Sequence, residues 1–231
     1  MTNPYTKLQI PVLYAVLAVV AVASAQAAPS NSEGSRLYAP CVVCHQPSAW
    51  GSTDGVIPSL AGQQKRYLEK QLTVFRSGAR GDTAMQIVAV HSTFSDPRNI
   101  VALANYLSGL DANPRPVTGA GDHLRVGQEL YTHICAACHG DGGQGQPGNR
   151  VPRIGGQHYP YLRRQINEAS DLHKDLAPPE MTSALRSMRS PEKDALADYI
   201  SRLGRAEVPV ESNRLDGAAT YQSAQSHEPE L

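Results

Sequence analysis

The sequence predicts an all-α protein made of two tandem copies of one helical domain. Three observations carry this expectation. Residues 34–107 are echoed by residues 127–200. Within each copy the apolar side chains recur at three- and four-residue spacings, the period of an amphipathic helix. No run alternates convincingly as a half-buried strand would. A chain of 231 residues accommodates two domains of about 100 residues each. The repeat, about 94 residues from Cys41 to Cys135, is longer than solenoid periods, so each copy reads as a domain in its own right.

The elements follow in chain order. Lys7 gives a weakly positive start, "VLYAVLAVVAVASA" (12–25) is a continuous apolar run, and small residues follow at Ala23-Ser24-Ala25 and Ala25-Gln26-Ala27. That is the pattern of a signal peptide over 1–28, cleaved near Ala25 to Ala28, and the apolar run is short for a membrane span. It places the mature chain outside the cytoplasm.

The N-terminal domain is assigned to 29–112 and the C-terminal domain to 121–205. Each begins with a Gly-x-x-Leu-Tyr lead-in, "GSRLYAPCVVCH" and "GQELYTHICAACHG". Next, "VIPSLAGQQKRYLEKQL" (56–72) matches "RVPRIGGQHYPYLRRQI" (150–166), and middle helices are expected over 63–78 and 159–170. A methionine follows in each copy, Met85 and Met181, and then a last helix, "SDPRNIVALANYLSGL" (95–110) or "SPEKDALADYISRLG" (190–204). Asp96-Pro97 and Ser190-Pro191 read as N-caps with proline opening the helix, and Gly109 and Gly204 as the stops. Between the copies, "DANPRPVTGAGD" (111–122) contains a linker over 113–120. The polar tail 206–231 is expected to be disordered.

Composition narrows the function classes. Lys+Arg and Asp+Glu balance at 21 each, so there is no basic footprint for nucleic acid. With 41% hydrophobic and 6% aromatic residues the core material is modest, and a domain of about 90 residues gains from a large apolar cofactor at its centre.

Cys41-x-x-Cys44-His45 and Cys135-x-x-Cys138-His139 supply the chemistry. This spacing is the signature of c-type haem attachment: two thiols on one turn reach the two vinyl groups of a porphyrin edge, and the adjacent histidine lies under the iron. Three competing chemistries are weaker fits. One zinc shared by the four cysteines leaves both histidines idle, a thioredoxin-like redox pair lacks its strand-helix-strand setting, and disulfides use none of the matched histidines or methionines. A carrier haem needs a second strong ligand, for which methionine thioether is suited. Met85 has no rival in its copy. Met181 is preferred to Met188 because it lies nine positions before Ser190, as Met85 lies ten before Ser95; Met188 then packs. His91 and His173 are the other candidate ligands. Pro58 and Pro152 recur at one place in both copies, as turn residues and as carbonyl acceptors for the free N–H of the axial histidine.

These residues resemble the dihaem cytochromes c of the cytochrome c4 family over about 34–204. The likeness rests on "CVVCH" and "CAACHGDGG", on "PSLAGQ…YLEKQLTVFRSGAR" with its echo "PRIGGQHYPYLRRQI", and on "ALANYL" and "ALADYI" in the last helices. It implies two class I cytochrome c domains facing each other with haem propionates near the interface. It implies two covalently bound haem c groups, with thioethers at Cys41, Cys44, Cys135 and Cys138 and axial ligation by His45, Met85, His139 and Met181. Such proteins are periplasmic, soluble or membrane-associated, and exchange electrons with membrane respiratory complexes or other redox proteins. The first copy departs from the pattern: it has "QPSAWGSTDG" in place of Gly-Asp-Gly-Gly, from which a longer loop carrying the only tryptophan, Trp50, is expected. It also has one residue fewer between Tyr38 and its first cysteine.

The resulting expectation is an electron carrier rather than an enzyme. A dihaem peroxidase needs an exchangeable iron position, and a thiosulfate-oxidising cytochrome needs a cysteine ligand, whereas all four cysteines here are used. A cytochrome subunit of a larger oxidase or dehydrogenase complex shares the same chemistry.

Overall fold

The computed structural model describes residues 31–90, 93–171 and 177–204. The expected signal segment, the tail, His91 and His173 lie outside the described residues. The first copy runs α1 (Asn31–Tyr38), a 3-10 turn (Ala39–Cys41), α2 (Val42–His45), α3 (Lys65–Arg76), α4 (Thr83–Val90) and α5 (Pro97–Ser108). The second runs α6 (Leu124–Leu130), a π turn (Tyr131–Cys135), α7 (Ala136–His139), α8 (Tyr159–Asp171), α9 (Pro179–Ser187) and α10 (Ser190–Arg202). Among the described residues the β structure amounts to an isolated bridge between Gln146 and Val151.

Each copy packs in the same way. Helix α1 crosses α5 while α3 packs on α5 and α4; α6 crosses α10 while α8 packs on α10 and α9. The lead-in glycine explains the first crossing. A Cβ on Gly34 would lie 2.5 Å from the Ala102 carbonyl oxygen, and one on Gly127 2.2 Å from that of Ala195, so the helices approach more closely than any side chain allows. The next landmark, Tyr38 or Tyr131, sits 5.8 or 5.7 Å from Tyr106 or Tyr199 in a tilted ring pair.

Leu103 and Leu196, each 1% exposed, occupy corresponding places in the two cores. Burial of such a side chain contributes about 1.5–3 kcal/mol. Phe94, in the first core, has its counterpart in Met188, which is buried with Tyr131, Leu162, Ile166 and Leu196 in the second.

The helix ends meet expectation at one site and shift at another. The Asp96 side chain accepts the Arg98 N–H and Pro97 opens α5. In the second copy the cap moves back one residue, because the Glu192 carboxylate accepts both the N–H and the guanidinium of Arg189, making Arg189 rather than Ser190 the N-cap. Gly204 has φ +73°, but Gly109 ends α5 in the right-handed region and uses none of its freedom.

The two copies face each other across a pseudo-two-fold axis, and their polar contacts come in reciprocal pairs. The Gln157 amide accepts the Ser59 N–H (2.9 Å) and donates to the Ser59 carbonyl (2.8 Å). The Gln63 amide does the same to Arg153, at 2.8 Å for both bonds. The Gln64 side chain donates to the Gln144 carbonyl (2.8 Å), and His158 Nε2 donates to the Trp50 carbonyl (2.7 Å). Arg80 adds an unmatched bridge, donating to Gln71 in its own copy and to Tyr161 and Gln165 of α8.

The segment between the copies is tied down along this seam. Trp50 Nε1 donates to the Asp111 carbonyl, the Val117 N–H donates to His158 Nδ1, and Asp198 accepts the N–H groups of Gly119 and Gly121. Because His158 Nδ1 accepts, its proton is on Nε2.

Candidate haem sites

In each copy a short helical turn delivers the motif. Cys41, Cys44 and His45 span the 3-10 turn and α2; Cys135, Cys138 and His139 span the π turn and α7. The extra residue of the second copy is absorbed in this winding, since a 3-10 turn uses fewer residues per turn than a π turn. Downstream geometry is thereby preserved: the Tyr38 hydroxyl donates to the Gln46 carbonyl and the Tyr131 hydroxyl to the Gly140 carbonyl.

The loops after the histidines correct the expectation of a longer first loop. They are equal in length and share backbone bonds: Gly51 N–H to the His45 carbonyl (3.1 Å) and Gly145 N–H to that of His139 (2.8 Å). Leu60 N–H meets the Ala49 carbonyl as Ile154 N–H meets that of Gly143, both at 2.8 Å. The first copy holds this shape without the glycines, with Gln46 at φ +64° and Ala49 at φ +57° where Gly140 and Gly143 have +78° and +67°.

The loop then returns to the histidine. His45 Nδ1 lies 3.0 Å from the Pro58 carbonyl oxygen and His139 Nδ1 3.2 Å from that of Pro152. Both rings are buried, at 5% and 8% exposure. Burial pushes their pKa values below the usual histidine range, against the opposing pull of the proline carbonyl. Each ring is therefore a neutral imidazole with its N–H fixed on Nδ1 and the Nε2 lone pair free, the form that ligates a metal.

The cysteines are free thiols rather than disulfides. Burial, and then the neighbouring thiol, push Cys41 and Cys135 up to about 11. A thioredoxin-like pair needs a depressed thiol pKa, so this chemistry is disfavoured. No cluster of three or more His, Cys, Asp or Glu side chains suited to a metal ion occurs among the described residues.

Met85 lies on α4, whose first turn is capped by Asp82 accepting the Met85 N–H (3.0 Å); the Asp82 charge also acts on His45. Met181 lies on α9 and is 37% exposed, whereas Met188 is 7% exposed within the core. Val43 and Ile134 on the motif turns, and Ile87 and Val90 on the methionine helix, are large apolar side chains held at the surface. Two free thiols and a neutral imidazole with its lone pair available, on one turn flanked by exposed apolar side chains, make a donor set that fits a covalently bound porphyrin iron.

Gln63, Gln157, His158, Arg80 and Asp198 are not among the site residues that the sequence predicts. The recurrence of Gln63 and Gln157 at matched positions was the available signal.

Two c-type haem turns related by duplication and facing each other across a polar seam define a dihaem electron-transfer cytochrome. The cytochrome c family model matches residues 32–111 and 124–204, and the chain belongs to that family. It is 32% identical over 181 residues to a thiosulfate dehydrogenase electron acceptor from Stutzerimonas stutzeri, covering 73% of this chain and 81% of that one. It is 30% identical over 152 residues to cytochrome c4 of Pseudomonas aeruginosa, covering 62% and 73% respectively. The fold matches the reduced recombinant cytochrome c4 structure from Pseudomonas stutzeri with a TM-score of 0.65 at 22% identity, over 76% of this chain and all of the other. The chain is thus a cytochrome c4-like electron carrier with two covalently bound haem c groups, and its partners are redox proteins.

Proposed function

We propose that the chain is an exported periplasmic carrier that takes electrons from a soluble redox enzyme and hands them to a membrane respiratory complex. The two matched histidines carry this reading: each is buried, neutral and anchored through Nδ1, beside two free thiols on the same turn. In it Cys41, Cys44, Cys135 and Cys138 form the thioethers, His45 and His139 are the axial nitrogens, and Met85 and Met181 the axial sulfurs. The core position of Met188, matched by Phe94 in the first copy, favours Met181 over it. The two haem domains are 29–112 and 121–205, joined by 113–120.

The bound haem irons supply one-electron chemistry by cycling between ferrous and ferric. The chain keeps each histidine neutral and oriented, would supply the Met85 and Met181 thioethers as second protein ligands, and holds the two copies in a fixed relation through the reciprocal amide bonds. The relative named as the electron acceptor of a thiosulfate dehydrogenase supports an enzyme of that kind as the donor.

Optical spectra of the purified holoprotein, oxidised and reduced, with and without carbon monoxide, test the reading. Two low-spin c-type haems per chain that decline carbon monoxide are expected. A high-spin haem or rapid ligand uptake would refute it. Electron transfer from a purified thiosulfate dehydrogenase to the oxidised protein tests the donor class.

A further inference from the structure

The peptide between Pro58 and Ser59 is hydrogen-bonded at both ends. Its carbonyl lies 3.0 Å from His45 Nδ1 in the same copy, and its N–H donates at 2.9 Å to Gln157 Oε1 of the other copy. The peptide between Pro152 and Arg153 repeats this arrangement with the copies exchanged: its carbonyl lies 3.2 Å from His139 Nδ1 and its N–H donates at 2.8 Å to Gln63 Oε1. Both glutamines are buried, at 8% exposure, where such bonds are little screened.

An amide that gives up its N–H to an acceptor carries more negative charge on its oxygen, because the two ends share one conjugated system. Bonds in such a chain strengthen one another by about 10–30% each. A stronger acceptor at Nδ1–H makes an imidazole more basic at Nε2, and a more basic ligand stabilises the ferric over the ferrous state.

We propose that the two glutamines are crossed positioning residues: Gln157 of the second copy tunes the iron site built on His45, and Gln63 of the first copy tunes the one built on His139. The inference rests on His45 and His139 as axial ligands. Each site's electron affinity then depends on the opposite domain being docked, so that a motion opening the seam weakens both histidine bonds at once. The crossing distinguishes this coupling from ordinary packing, in which each glutamine would act most on its own domain.

The test uses full-length holoprotein with Gln157→Leu, Gln63→Leu and the conservative Gln157→Glu. The two reduction potentials are measured by NMR-monitored titration, with each haem assigned through its own axial ring, together with the Nδ1–H proton shifts in the reduced state. Gln157→Leu is expected to raise the potential of the first haem and move the His45 Nδ1–H resonance upfield, leaving the second haem unchanged. Gln63→Leu should do the converse. Gln157→Glu keeps an acceptor for the Ser59 N–H, and a stronger one, while giving up the amide donation to the Ser59 carbonyl; where the variant folds, it should lower the first potential instead. A same-domain pattern, equal shifts of both haems in each variant, no shift at all, or a raised first potential in Gln157→Glu would overturn the proposal. Failure of the underlying ligand assignment looks different, since the unmodified protein would already lack histidine and methionine signals at its irons.

Discussion

Replacing Gln46 by glycine should stabilise the first domain. Gln46 has φ +64° and ψ 163°, a region almost reserved for glycine, and the second copy places Gly140 there at φ +78° and ψ 158°. Holding a side chain in that region costs about 1–3 kcal/mol. The strain persists because the surroundings fix the loop: the Gln46 carbonyl accepts the Tyr38 hydroxyl, its N–H meets the Val42 carbonyl, and the next turn is closed by Gly51 onto His45. Glycine releases the strain but adds about 0.4–1 kcal/mol of unfolded-chain entropy. The net expectation is a gain of about 1 kcal/mol, or about 2–4 °C in melting temperature for a chain of this size. The assay is urea unfolding of the oxidised holoprotein, followed by circular dichroism and by haem absorbance. Ala49→Gly is the internal contrast: it relieves a φ of +57° but removes a fully buried methyl worth about 0.8 kcal/mol, so the change should be near zero. If Gln46→Gly lowers stability, backbone strain is not what separates the two loops.

Gly127→Ala should destabilise by about 1–3 kcal/mol or more, because its Cβ meets the Ala195 carbonyl at 2.2 Å in a crossing with no flexible side chain to yield; thermal melts of the second domain report it. His158 is held neutral by burial, which lowers its pKa against the pull of the Trp50 carbonyl. Below the unfolded pKa of about 6.5 the unfolded chain binds the extra proton, so stability is full above that pH and falls as pH drops, by up to about 1.4 kcal/mol per pH unit. His158→Gln keeps a donor for the Trp50 carbonyl and should remove that slope in denaturation curves from pH 7 to 5, at a cost of about 1 kcal/mol at pH 7 for the lost Val117 bond. Met188→Leu should cost under about 1.5 kcal/mol and leave the optical spectrum unaltered, while Met181→Ala should open one iron to carbon monoxide; the reverse pattern would reassign the ligand.

The duplication was legible because its landmarks recur in one order, and so were the helices whose apolar residues mark a single face. Helix α5 began where Asp96-Pro97 said it would, since a side-chain cap and a fixed φ are local properties. Helix α10 began one residue early because a reach from Glu192 to Arg189 outcompeted the serine, a choice between partners that residue preferences do not resolve. The first loop was misjudged for a related reason. Missing glycines suggested a different length, but the bonds around Gln46 and Ala49 impose the glycine-like path on other residues. The two Cys-x-x-Cys-His motifs are legible from spacing alone. The contacts of Gln63, Gln157 and His158 are not legible, because their partners lie in the opposite copy: recurrence marks the two glutamines as a matched pair but not what they reach.

The reciprocal bonds about the pseudo-two-fold axis are the pattern of an isologous dimer, here between two halves of one chain. Separate subunits joined by such a seam would part on dilution, since polar amide pairs contribute about 0.5–1.5 kcal/mol each against several kcal/mol of lost translational and rotational freedom. A short covalent tether raises the effective concentration of one half near the other to about the millimolar range. Fusion therefore lets a contact built on hydrogen bonds remain closed however dilute the protein becomes. It also frees the two halves to diverge, so that histidine can stand at 158 where glutamine stands at 64 and give the assembly two distinguishable ends.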